Sequence, residues 1–384
     1  MSDKYLLGNY TRLPLTVSAG EGCYLIGDDG RRYLDMITGI GVNAFGYCHP
    51  RLTSVLLEQS RECVHTSNLV SHRHQRALAE RLCGMSGLDR AFFSNSGTEA
   101  MEAALKAVRA RSKPEKSRIV SLRGSFHGRT MGSLALTGQP ELRQNFVFPG
   151  AEITFVEPND RAALQAAIRE DTSAVVLEPV LGEGGIYPLK TEYLQLARQL
   201  TRATDAYLIA DEVQCGLGRT GRYFAYQWAE ILPDIVVTAK PLAAGLPLGA
   251  TLFTEDAAQW LPPHSHGSTF GGGPLACRVA IEFLKMIAEE LPGIGERAGQ
   301  FLARLETLRL RHPVITEIRS KGLMFGIQLS VPGAPIVAAA LARGLLVNCT
   351  QGTVLRMLPP YIVSEREMDE AVRVLDDVFC APAQ

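Results

Sequence analysis

The sequence predicts an α/β protein: a large domain on a mostly parallel seven-stranded sheet, followed by a smaller α+β domain. Three observations lead there. Seven short apolar runs rich in β-branched residues, at 91–95, 119–122, 153–156, 174–177, 206–210, 234–238 and 249–253, read as strands buried on both faces. Helix-length segments separate most of them, which parallel neighbours need because a two-residue turn cannot join them. After about residue 275 the alternation gives way to long helical stretches, so the architecture changes there.

Taken in order, "CYLIGDDGRRYLD" reads as a hairpin with a Gly-Asp-Asp-Gly turn. The run "AFFSN" at 91–95 leads into a helix expected over 98–111. Further helices are expected over 160–170 and 191–204, opening with Asn159 and Thr191 as caps. Beyond 274 the spacing predicts two helices, 274–290 and 293–311, parted at Pro292, then the strand "GLMFGIQL" and a closing helix near 364–379. These changes divide the chain into an N-terminal segment, 1–45, expected to pack with the small domain, a large domain, 46–275, and a small C-terminal domain, 276–384. There is no internal repeat and no low-complexity linker.

Composition narrows the function. With 39 basic against 40 acidic residues and a net charge of −1, no nucleic-acid or membrane partner is expected, and a small-molecule site is sought instead. The N-terminus lacks the basic start and apolar run of a secretory signal, and no stretch gives eighteen apolar residues free of Gly, Pro and charge, so a cytoplasmic location is expected. Eight cysteines without a CxxC pair fit reduced, mostly buried thiols. The HxH pairs His72/His74 and His264/His266 lack a completing ligand and read as surface loop, so no metal is expected.

In open parallel sheets ligands collect at the carboxyl ends of the strands. Ser96-Gly97-Thr98 follows the 91–95 run and enters a helix; free backbone N–H groups there suit an anion, although the same triplet also serves as an ordinary N-cap. The run "AYLIADEVQ" ends in Asp211, which suits a buried partner for a ring nitrogen or a simple turn cap. "DIVVTAK" ends in Lys240, the single charge between Asp234 and Glu255. A lysine at a strand end usually snorkels to solvent, but Pro241, Gly245, Pro247 and Gly249 point to a tight irregular turn that would desolvate it and make its amine nucleophilic. Together, a phosphate cradle, a carboxylate and a desolvated lysine are what pyridoxal 5′-phosphate requires.

The motifs "FFSNSGTEAMEAAL", "GSFHGRT", "LEPVLGEGG", "LIADEVQCGLGRTGRYFAYQ", "PDIVVTAKPLAAGLPLGA", "HGSTFGGGPLA" and "VLRMLPP" resemble, in order and spacing, the class III pyridoxal-phosphate aminotransferases of fold type I. The resemblance covers nearly the whole chain. It implies that Lys240 is the Schiff-base lysine, that Gly97 and Thr98, with Ser96 alongside, hold the cofactor phosphate, that Phe126 stacks on the ring with His127 close by, that Asp211 pairs with the ring nitrogen, that Val213 packs under the ring and that Gln214 meets its phenolic oxygen. It further implies that Thr269 reaches the phosphate of a neighbouring subunit with Ser268 beside it, hence a homodimer with shared sites. For an amino donor and 2-oxoglutarate, Arg356 is expected to bind the carboxylate beside the keto group, Glu183 to neutralise Arg356 when the donor is bound, and Arg129 to clamp the distal carboxylate.

Within that class, "GEGCYLIGDDGRRYLDMITGIGVNAFGYCHP" and "HTSNLV" look most like the acetylornithine-specific branch, and the apolar Ile40 suits an acylated α-amine. Related ω-amine donors, namely ornithine, succinylornithine, N-succinyl-diaminopimelate and 4-aminobutyrate, and an aminomutase of the same fold, stand as alternatives. Met101, Leu181, Ala243, Ala244 and Gly273 depart from the family pattern at positions expected near the cofactor.

Overall fold

The computed structural model describes residues 5–146 and 152–380; residues 1–4 and 381–384, at the two ends of the expected division, lie outside the described residues. Its central sheet runs, edge to edge, through Arg90–Ser94, Gly249–Phe253, Ile235–Thr238, Tyr207–Asp211, Thr172–Leu177, Arg118–Leu122 and Ile153–Val156. Each of the seven expected runs is a strand. Gly249–Phe253 is antiparallel to both neighbours and every other pairing is parallel. Thr172–Leu177, Tyr207–Asp211 and Ile235–Thr238 are buried at every residue, as strands covered on both faces must be.

The helix Gly97–Arg111 turns Ala100, Met101, Ala103, Ala104, Ala107 and Val108 inward, and this mostly small-residue face lies against Gly249–Phe253 and Ile235–Thr238. Met101 is therefore a core residue, packed in one apolar cluster with Val176, Ile209 and Val237.

Four expectations need correction. Residues 274–290 and 293–311 form one helix, Pro274–Arg311, which passes through Pro292. An interior proline costs roughly 3 kcal/mol, but Phe283, Leu284, Ile287, Ile294, Phe301 and Leu305 continue one buried face on both sides of it, and that shared burial outweighs the missing hydrogen bond. The caps are shifted by one residue: Asp160, not Asn159, accepts from Ala163 N at 2.9 Å, and Lys190 precedes a helix in which Thr191 is already the first residue. Asn159 sits instead at φ 63° and uses its amide on Pro188 O and Lys190 N. Of the eight cysteines, all free, only Cys23, Cys215 and Cys277 are buried, because the others fall on surface helix faces, loops and an edge strand. Of the HxH residues, His72 caps the helix Arg73–Ser86 and His74 lies within it.

The N-terminal hairpin, Tyr24–Gly27 with Arg32–Asp35, pairs through its second strand in parallel with Leu345–Leu346, 311 residues away. A further sheet, ordered Ile315–Ser320, Phe325–Leu329, Val354–Met357 and Asn348–Thr350, carries Arg356 at a fully buried position. The helix Glu365–Cys380 closes the described chain.

Candidate active site

The carboxyl ends of the central strands open on a cavity of ≈ 380 Å³. Ser96 starts the first wall: its hydroxyl accepts from Glu99 N at 3.3 Å, capping the helix Gly97–Arg111. The N–H groups of Gly97 and Thr98 precede any intrahelical acceptor and lie at the positive end of the helix, so they suit a phosphate. A Cβ on Gly97 would stand 2.9 Å from both Val213 methyls, so glycine is what allows Val213 to sit against the helix start. Thr98 Oγ1 accepts from Arg129 N and Thr130 N at 3.2 and 3.1 Å and meets Ser133 Oγ at 2.6 Å. The hydroxyl of Thr98 therefore holds the adjoining loop, and its backbone remains available.

Asp211 ends its strand with the carboxylate buried. One oxygen lies 2.7 Å from His127 Nδ1 and the other accepts from Val213 N at 3.0 Å. His127 Nε2 is buried without a hydrogen-bond partner. Phe126 and Val213 supply apolar walls, and the Arg129 guanidinium lies 5.4 Å from the Phe126 ring centroid.

Lys240 follows the strand Ile235–Thr238 and lines the same cavity. The chain beyond it folds into successive tight turns, with Ala244 at φ 49° and Gly245 at φ 109°. Burial pushes the Lys240 amine down to about 8; Arg356 acts in the same direction, while Glu183, Glu178 and Asp211 oppose it. A lysine in that state is largely protonated at neutral pH yet holds a far larger neutral, nucleophilic fraction than a surface lysine.

A second pair joins the strand Val354–Met357 to the turn that carries Glu183. Arg356 Nη1 bonds to Glu183 and, at 3.3 Å, to Gln214 Oε1, while Arg356 Nε donates to Asn348 Oδ1 at 3.2 Å. Burial raises the Glu183 carboxyl, but Arg356 and Lys240 more than offset it and hold the group below its usual range.

Ser96, Gly97, Thr98, Phe126, His127, Arg129, Glu183, Asp211, Val213, Gln214 and Lys240 thus line one cavity. Arg356 lies behind it and reaches it through Glu183 and Gln214. Ser268 and Thr269 do not line the cavity: Ser268 Oγ accepts from Gly271 N at 2.9 Å, its carbonyl accepts from Asn68 Nδ2 at 2.9 Å, and Thr269 points to the exterior. Met101, Leu181, Ala243, Ala244 and Gly273 do not line it either, so they face the core or the turns behind it. The residue that sequence reading passed over is Glu178, one position beyond the strand Thr172–Leu177 and fully buried at the cavity wall. The strand-end rule that selected Asp211 and Lys240 selects it equally.

These residues fit pyridoxal phosphate: a helix start for its phosphate, a buried carboxylate for its ring nitrogen, apolar walls for the ring faces and a desolvated amine for its carbonyl. Comparison with known proteins agrees. The family model for class-III aminotransferases matches residues 6–379. Acetylornithine aminotransferase of Methanocaldococcus jannaschii is 42% identical over 99% of this chain and 97% of its own, and that of Aquifex aeolicus is 40% identical over 98% and 100%. Among solved structures, the ornithine aminotransferase of Toxoplasma gondii, a structure with partial occupancy of pyridoxal phosphate at its active site, superposes with a TM-score of 0.91 at 31% identity over 98% of this chain and 92% of that one. N-acetylornithine aminotransferase of Stenotrophomonas maltophilia gives 0.84 at 32% identity over 96% of each chain. With a helix-start anion cradle, a buried Asp211 and a desolvated Lys240 at the ends of one sheet, the chain belongs to the class-III aminotransferases, enzymes that work with pyridoxal phosphate.

Proposed function

We propose that this enzyme moves the ω-amino group of N2-acetyl-L-ornithine to 2-oxoglutarate, giving N-acetyl-L-glutamate 5-semialdehyde and L-glutamate, a step of arginine biosynthesis in the cytoplasm. The observation that carries it is the Glu183–Arg356 pair facing Lys240. The donor's reacting carbon bears no carboxylate, whereas that of 2-oxoglutarate does, so one pocket must offer a positive charge in one half-reaction and hide it in the other. A cation with a displaceable carboxylate does this: Glu183 neutralises Arg356 while the donor is bound, and the substrate carboxylate takes its place in the second half. Relatives about 40% identical over nearly the full chain, all acetylornithine aminotransferases, support the donor. So does the apolar Ile40, held in the left-handed turn Thr38–Gly41 beside cavity-lining Val42.

Pyridoxal phosphate, when bound, supplies a carbonyl that carries the amino group between substrates and a ring that withdraws electrons from the reacting carbon. Lys240 Nζ, desolvated at the cavity wall, would take and return the proton at the reacting carbon of the substrate. Asp211 would pair with the ring nitrogen and favour its protonated form, with His127 fixing the carboxylate's orientation at 2.7 Å. Gly97 and Thr98 would hold the phosphate with Ser96 beside them, Phe126 and Val213 would offer apolar walls to the ring, Gln214 would serve its phenolic oxygen, and Arg129 would clamp the distal carboxylate of either substrate.

The same reading makes the enzyme a homodimer in which Thr269, with Ser268 beside it, completes the partner's phosphate site. In its support, the segments bearing Val64, Leu69, Val70 and Phe270, all exposed, are tied together by Asn68 and form an apolar face that a second copy would cover. The division at about residues 45 and 275 belongs to this reading too, supported by the pairing of Arg32–Asp35 with Leu345–Leu346. Among the described residues no helix is long and apolar enough to cross a membrane.

The test is a spectral titration of the yellow holoenzyme with N2-acetylornithine, ornithine, succinylornithine and 4-aminobutyrate, one at a time without keto acid. Rapid bleaching by acetylornithine, much faster than by the others and reversed by 2-oxoglutarate, is the expected result. Faster bleaching by another amine would keep the chemistry and overturn the donor.

A further inference from the structure

Glu178 is a fully buried carboxylate to which the roles above give no work. Its two oxygens are spent on two different loops: Oε1 accepts from Phe126 N at 2.8 Å and Oε2 accepts from Gly182 N at 3.0 Å. The first loop carries Phe126, His127 and Arg129, and the second carries Glu183. The loops also touch directly, since a Cβ on Gly184 would meet Gly124 O at 2.9 Å, and one on Gly182 would meet Gln214 Oε1 at 2.3 Å. Both approaches leave room only for glycine, so the second loop is wedged against the first and against Gln214.

We propose that Glu178 is a positioning residue for the transfer reaction: a single buried carboxylate ties the ring-facing loop to the loop bearing Glu183 and thereby sets the distance of the exchangeable counter-charge from the ring. The inference rests on the reading of Glu183 as the displaceable partner of Arg356. Neither backbone N–H has a competing acceptor in this clamp, and each charge-assisted bond is worth roughly twice a neutral one. Removing an oxygen therefore frees one loop without touching the cofactor groups themselves.

The clamp depends on ionisation. As a carboxylate Glu178 accepts from both loops, but once protonated, one oxygen becomes a hydroxyl and no longer accepts as strongly from the N–H it faces. Burial pushes the Glu178 carboxyl up to about 7, with Asp211 adding to the rise and His127 opposing it, and Lys240 and Cys215 also face it. Clamping is then complete above neutrality and weakens as pH falls through 7. Glu178→Gln reproduces the weakened form permanently, because an amide offers one acceptor and turns a donor toward the other N–H.

Single-turnover rates of the donor and keto-acid half-reactions would be measured on the holoenzyme and on Glu178→Gln, from pH 5.5 to 9, with thermal melting as the check on folding and Glu183→Gln as the reference variant. The expected result is a donor half-reaction about tenfold slower in Glu178→Gln, with the keto-acid half-reaction much less affected, the size of one lost charge-assisted hydrogen bond. The wild-type donor rate should fall below pH 7, and this limb should be absent from Glu178→Gln. Equal loss in both half-reactions with the acid limb intact would reduce Glu178 to a structural residue and overturn the proposal, as would rates within twofold of wild type. If Glu178→Gln misfolds, the wild-type limb decides through its half-reaction: a limb common to both halves overturns the proposal. Should Glu183→Gln leave the ratio of half-reactions unchanged, the reading of the counter-charge fails first, and this inference fails with it for that separate reason.

Discussion

Two side-chain pairs, His127 with Asp211 and Arg356 with Glu183, border the same cavity, and they are built differently. His127 and Asp211 are sealed, with side-chain exposures of 0% and 4%, and every Asp211 oxygen is already in use by the protein. In the second pair Arg356 is as deeply buried, at 1%, but Glu183 is 26% exposed. A sealed pair cannot exchange a partner with solvent or substrate without leaving an uncompensated buried charge. A pair with one accessible member can, because an incoming carboxylate replaces the one that leaves. In the proposed function the first pair is a permanent electrostatic fixture for the ring and the second an exchangeable one for the substrate.

The comparison can be broken at four points, in decreasing order of effect. Lys240→Ala should lower both half-reactions by at least ~10³-fold, because the proton transfer loses its positioned base; single-turnover spectra measure this, and a variant that retains turnover would remove Lys240 from the centre of the site. Asp211→Ala leaves His127 buried without a carboxylate and should cost about 3 kcal/mol of stability as well as most of the activity, read from thermal melting alongside initial rates. Changing the open pair should act asymmetrically: Arg356→Ala is expected to raise KM for 2-oxoglutarate about tenfold or more with a much smaller change for the donor. Equal changes for both substrates would place Arg356 with the fixed pair instead.

The smallest effect is a pH dependence of the cofactor-free protein. Lys240 titrates near 8 when folded and near 10.5 when unfolded. Its capture of pyridoxal phosphate should therefore speed up as pH climbs through about 8 and level off above it. The sign for stability is also set. Between pH 8 and 10.5 the unfolded chain binds more protons at this group than the folded one, so its contribution to stability rises with pH across that window. Lys240→Met should abolish that rise in urea titrations.

Much of this was legible beforehand, and unevenly. The seven strands could be read because each is a contiguous run buried on both faces, and a run needs no knowledge of its neighbours. Lys240 and Asp211 could be read for the same reason: a lone charge ending such a run is a local anomaly. Glu178 was equally visible at the end of its strand, but a Glu-Pro step resembles a turn, and only the hydrogen bonds to Phe126 N and Gly182 N give it a task. Pro292 misled, since the penalty it imposes is local and the burial that overrides it belongs to Phe283, Ile294 and Phe301 together. The shifted caps at Asp160 and Lys190 differ from expectation by a single residue: Asp160 turns its side chain to Ala163 N, whereas Lys190 caps through its extended backbone alone.

By itself, then, the sequence determined the alternation of buried strands and helices, the helix start at Ser96-Gly97-Thr98 and the solitary lysine and aspartate that end two strands, because all of these are written in neighbouring residues. Tertiary structure alone decided that Glu178 joins two loops, that Ser268 and Thr269 stand away from this chain's own cavity and that one helix survives its proline. Those outcomes depend on which surfaces are buried against one another, and the free energy of burial is a property of the assembled core rather than of any segment within it.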